Sequence, residues 1–87
     1  MNEGEFETRV VLRHMFEQDI INEREFSDLN SVIDEDGTFA AQAGISSVVQ
    51  CTPNNIPKEL LDEILALKPV FDEEYYADML DALAERP

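Results

Sequence analysis

Tryptophan is absent from the 87-residue chain, and cysteine and histidine occur once each. A lone Cys51 cannot close an internal disulfide. No basic segment followed by an apolar stretch stands near the first residue, so a reducing cytoplasm is the expected compartment. His14 and Cys51, as the only imidazole and the only thiol, lack further ligands at zinc spacing, and as a nucleophilic pair they would have to meet in space. Cations are scarce as well: 6 Lys+Arg stand against 20 Asp+Glu, a formal charge of -14. Recognition of nucleic-acid phosphates or anionic membrane depends on Lys and Arg, so neither is expected as a direct partner. No apolar run approaches the roughly 20 residues of a membrane-spanning helix. A chain this short is too small for a large catalytic fold. It makes one domain, residues 1-87, that buries roughly 60–65% of its unfolded surface.

What is present is enough apolar material to fold, since 44% hydrophobic residues offset the entropy of ordering despite the charge. The charge falls in blocks. Residues 1–37 carry 11 acids and 3 bases, residues 38–57 carry none of either, and residues 58–87 carry 9 acids and 3 bases. Gln42, Ser46, Ser47, Gln50, Asn54 and Asn55 interrupt the neutral centre, and Pro53 and Pro57 punctuate it, which excludes a membrane span. The centre reads as a buried layer or a partner-facing surface.

Residues 5–18 alternate like a strand but are long for one. As a helix they spread Phe6, Val10, Leu12, Met15 and Phe16 around most of the circumference, which suits packing on more than one side. Asn22 with Glu25 forms a capping-box signal, with Ile20 and Ile21 placed to fold back onto Phe26 and Leu29. The stretch LRHMFEQDIINEREFSDL resembles short helical hairpins in which two aliphatics turn the chain ahead of an Asn-x-x-Glu-Phe start; it implies no activity. Helices are expected at 5–18 and 23–34, ending at the Asp36–Gly37 turn with Gly37 in a left-handed conformation. The segment 39–52 is ambiguous. Thr38 suits a cap for a helix over 39–50, whereas the β-branched residues from Ile45 to Thr52 suit a short strand. Pro57 opens the next helix, with Leu60, Leu61, Ile64 and Leu67 in one stripe and Pro69 as its stop. Asp72 caps the last helix, Phe71 staples onto Tyr76, and Tyr76, Met79, Leu80 and Leu83 recur at helical spacing. The expected fold is therefore all-α, a small bundle of four to five short helices.

The loop Asp34-x-Asp36-Gly37-Thr38 resembles the nucleophile loop of the haloacid-dehalogenase-type phosphatases. That chemistry needs a doubly wound sheet to present the loop, which 87 residues cannot build. Read as an EF-hand, the same loop puts Val32 and Ala43 where the first and twelfth ligands belong. No enzyme, no cofactor and no metal site is expected.

The carboxylates themselves remain. Glu74, Asp78, Asp81 and Glu85 follow steps of 4, 3 and 4, within about 60° of one another and along about 16 Å of helix. Glu59, Asp62 and Glu63 share the polar face of the preceding helix, and Glu23, Glu25 and Asp28 lie by the hairpin, with Glu17 and Asp19 beside them. Lines of like charge repel, so lysine in alternation is the stabilising choice. The composition points to an acidic interaction module that blocks a basic groove on another protein, above all a nucleic-acid-binding one. In charge and size it is comparable to phage anti-restriction and anti-CRISPR proteins and to nuclease immunity proteins, which makes it a candidate DNA mimic. The alternative is a helical assembly subunit or homodimer joined through Phe39, Ala43, Ile45, Val48 and Val49 of the neutral centre.

Overall fold

The computed structural model describes residues 4–52 and 54–85. Five α-helices follow one another: α1 Glu5–Glu17, α2 Glu23–Asp36, α3 Thr38–Cys51, α4 Lys58–Leu65 and α5 Glu73–Ala84. A 3-10 turn, Lys68–Val70, lies between the last two. The chain is all-α, with no strand among the described residues. The neutral α3 is the central element: α1, α2 and α5 pack on it, while α4 packs on α1.

The helix ends follow local chemistry. α1 begins at Gly4, whose φ of 78° and position against Val70, where a Cβ would come within 2.7 Å of the Val70 Cβ, admit no side chain. Its far end is a Schellman motif, with Ile20 N–H on Met15 O at 2.8 Å and Asp19 N–H on Phe16 O at 3.1 Å. Asp19 takes the left-handed position at φ 62°. The capping box on α2 forms as its sequence requires: Asn22 Oδ1 accepts from Glu25 N–H at 2.8 Å and Glu25 Oε1 from Asn22 N–H at 2.9 Å. Phe16 then stacks on Phe26 with ring centroids 4.8 Å apart, closing the hairpin.

Gly37 both ends α2 and precedes α3. Its φ of 101° and ψ of 171° are not the left-handed helical geometry expected from the sequence but an extended positive-φ conformation that is essentially glycine's alone. Thr38 is correspondingly not the cap; it is the first residue of α3 and is buried. Gly37→Ala is expected to cost about 1–3 kcal/mol, read as a lower denaturation midpoint with an unchanged slope. A midpoint equal to wild type would show that the turn tolerates a side chain.

The segment 38–51 is helix because Ala41, Gln42, Ile45, Ser46 and Val49 recur at helical spacing, and all five are buried. Burial of that face overrides the β-branched content. Ile45 and Val49 join Val11, Leu12, Met15, Ile33, Leu60, Ile64 and Met79 in the core. They are therefore interior residues, and their expected place on a dimer surface is corrected.

Two polar side chains of α3 are equally buried, and both reach α5 or its approach. Gln42 donates to Val70 O at 2.8 Å and accepts from Asp72 N–H at 2.9 Å. Its amide also lies 3.3 Å from Thr8 Oγ1 on α1. Ser46 donates to Tyr75 O at 2.9 Å. In the sequence these residues look like interruptions of an apolar segment; in the fold they satisfy the backbone where the chain turns into α5. α4 ends at Leu65, ahead of the expected Pro69 stop, and Tyr76 Oη donates to Leu65 O at 3.1 Å. Pro57 takes the cap position of α4 rather than its first turn.

Candidate functional site

The start of α5 is fixed from both sides. Asp72 accepts from Glu74 N–H at 3.0 Å and Tyr75 N–H at 3.2 Å, while its own N–H is held by Gln42. Phe71 packs edge-on against Tyr76 with centroids 6.0 Å apart, the expected staple. Met79 is buried against α3, with Tyr75, Tyr76 and Leu83 beside it. Leu80, expected in the packed stripe, is 44% exposed because Tyr75 occupies the inner face instead.

This anchoring turns Glu74, Asp78, Asp81 and Glu85 to solvent, where none forms an ion pair among the described residues. Exposed Ala77, Leu80 and Ala84 run alongside them. Glu73 and Glu74 lie in the first turn, where the helix dipole favours anions. Asp81 and Glu85 lie at the opposite end, where it disfavours them, and the last turn carries no basic residue. The stripe is thus set against both its own repulsion and half of its helix dipole.

The other acidic groups divide differently. Glu59 and Asp62 on α4 are exposed and without an ion pair among the described residues, as is Glu23 on α2. Glu63 is half-buried and meets His14 Nδ1 at 2.6 Å, tying α4 to α1. Glu25 is committed to its capping box, and Asp28 lies 3.9 Å from Arg24. Those three candidates therefore have structural partners, which thins both the acidic face of α4 and the acidic group by the hairpin. Arg9 bridges α1 to α2 through Asp34 at 2.6 Å and Asn30 at 2.9 Å, and lies 3.9 Å from Glu5; Arg13 lies 3.7 Å from Glu17. Arginine thus offsets Glu5, Glu17, Asp28 and Asp34 of α1 and α2, whereas among the described residues no cation pairs with an acid of α5.

The engagement of Asp34 with Arg9 also removes a ligand from the acidic turn. Among the described residues no group of three or more His, Cys, Asp or Glu is placed to hold a metal ion. Cys51 is exposed at the end of α3, lining a shallow cleft with Ile20 and Val48, and His14 is occupied by Glu63. Of the expected dimer residues, Phe39 is 52% exposed and Ala43 and Val48 are half-buried. No described helix is long and apolar enough to cross a membrane. The anchoring of α5 by Gln42 and Ser46 had no signal in the sequence beyond their presence in a segment of small and apolar residues. Comparison with protein-family models, with curated proteins and with solved structures gives no match.

Proposed function

We propose that the chain is a non-catalytic, acidic binding module that occupies a basic groove on another protein, in the manner of a nucleic-acid mimic. The observation that carries this is the exposed stripe Glu74, Asp78, Asp81 and Glu85, without an ion pair among the described residues, on a helix pinned at its start by Gln42 and Asp72. A solvated face needs only to keep the protein soluble, and mixed charge does that with less repulsion. A rigid line of carboxylates supports recognition of a lysine- and arginine-lined channel and fast, electrostatically steered association. The partner class is a nucleic-acid-binding protein, with restriction, CRISPR or nuclease-toxin systems the natural settings. The cytoplasm, that of the host if the chain is phage-encoded, is the proposed place of action.

The test is capture on the immobilised protein, with wild type compared against the Asp78→Lys, Asp81→Lys, Glu85→Lys variant. A specific basic protein should be retained by wild type alone and released as salt approaches 1 M, where the Debye length is about 3 Å. Equal retention by both, or retention indifferent to salt, contradicts the proposal.

A second reading has its own observation. Phe39 is exposed on the outer face of α3, next to half-buried Ala43, and that helix bears no charge. A homodimer or assembly contact there predicts a dimer in sedimentation that Phe39→Asp disperses. A monomer at high concentration removes that reading.

A further inference from the structure

Phe6 is 71% exposed, the most exposed large apolar side chain described. It stands at the mouth of a groove of about 260 Å³ between α1 and the end of α4, lined by Val10, Val11, Ala66 and Leu67. The remaining lining residues described are Glu7 and Glu63, so the walls are apolar, the rim carries two carboxylates, and among the described residues no cation lines it. The rim is continuous with an acidic face, because Glu59, Asp62, Glu63 and Ala66 recur at i, i+3, i+4 and i+7 along α4 and its cap. Glu59 and Asp62 are exposed on that face, and Glu7 has no ion pair among the described residues.

We infer that this groove is an anchor site for an amphipathic basic segment of a partner protein, which inserts one apolar side chain between Phe6 and Ala66. Its flanking lysines or arginines meet Glu7, Glu63, Asp62 and Glu59. The inference rests on the proposal that the chain binds basic protein surfaces, and adds where an uncharged contact fixes the register. Long-range charge selects the sign of a partner and speeds encounter, but rim charges contribute little to residence time. Affinity concentrates in a few apolar anchors that exclude water. An apolar cleft ringed by carboxylates joins the two on one site. An acidic partner would place like charges together at the rim, and a neutral apolar one would leave Glu7, Glu59 and Asp62 without a use, Glu63 alone being engaged by His14.

The test uses two synthetic probes with the same number of lysines: an amphipathic lysine/leucine peptide and an oligolysine. In a titration followed by amide NMR, the lysine/leucine peptide should shift Phe6, Val10, Ala66 and Leu67, and oligolysine should leave Val10 and Leu67 unmoved. Phe6→Ala and the groove-filling Ala66→Trp, both at exposed positions, should weaken the lysine/leucine peptide about 10-fold while oligolysine affinity and helicity stay at wild-type values. Shifts confined to α3 or α5, or unchanged affinity in both variants, would overturn the anchor site while leaving the acidic-module proposal standing. Failure of both peptides to bind at low salt would overturn both.

Discussion

Gln42→Leu is expected to remove a large part of the stability of this protein, although it replaces a polar residue in the core by an apolar one of similar size. Leucine fills the space but leaves Asp72 N–H, Val70 C=O and Thr8 Oγ1 without the partner each has in the native chain. A buried group left unsatisfied costs about 1–3 kcal/mol, so a loss of about 3–5 kcal/mol is expected. A domain of this size has roughly 4–13 kcal/mol in total at 0.05–0.15 kcal/mol per residue. The melting temperature should fall by about 12–40 °C, at roughly 4–8 °C per kcal/mol for a small domain. Ser47→Ala, at an exposed position on the same helix, should change stability by no more than about 0.5 kcal/mol. If Gln42→Leu melts within a few degrees of wild type, the amide is not what fixes the turn into α5. The acidic stripe would then need another explanation for its placement.

Asp78→Lys, Asp81→Lys and Glu85→Lys together should move stability and binding in opposite directions. The lysine at position 78 stands four residues after Glu74, a favourable order worth about 0.2–0.5 kcal/mol on an exposed helix. Lysines at positions 81 and 85 lie at the C-terminal end of α5, where each gains about 0.3–1 kcal/mol from the dipole that now opposes the carboxylates. A net gain of about 1–2 kcal/mol is expected, measured as a higher melting temperature. Affinity for a basic partner should fall by roughly 100-fold or more at low salt, because attraction becomes repulsion at three positions. This pairing separates a binding role from a structural one. Loss of binding with loss of fold would say little, whereas a more stable protein that no longer binds assigns the stripe to recognition. Unchanged affinity would return the stripe to the role of a solubilising face.

How much of this was visible in the sequence depends on how far apart the interacting residues are. The capping box of Asn22 and Glu25, the Asp72 cap and the Phe71 staple act within a few residues of their partners, and each formed as its pattern required. The helical phase of α5 placed Glu74, Asp78, Asp81 and Glu85 on solvent for the same local reason. His14 and Glu63 are 49 positions apart, and Gln42 and Asp72 are 30 apart, so neither pair has a signature at any fixed spacing. The neutral centre shows the limit most clearly. Its lack of charge suggested either a buried layer or an exposed contact, and the helix divides the two along its circumference, with Ile45 and Val49 inward and Phe39 outward. Which residues are buried was set by the packing of α1, α2 and α5 around α3, a tertiary event that composition does not record. Asp28 and Glu63 read as free carboxylates until Arg24 and His14 were placed beside them, whereas Glu25 carried its capping-box signal from the start.

Competition with nucleic acid on a captured basic partner decides whether the acidic faces act as proposed. A labelled DNA or RNA is bound to that partner and the protein is titrated in at several salt concentrations. Wild type should displace the nucleic acid completely, with an affinity that falls steeply as salt rises, and the variant with lysine at positions 78, 81 and 85 should displace none. Simultaneous binding of nucleic acid and wild-type protein to the same partner, or displacement equally effective with the lysine variant, would show that the carboxylates of α5 do not occupy the basic groove.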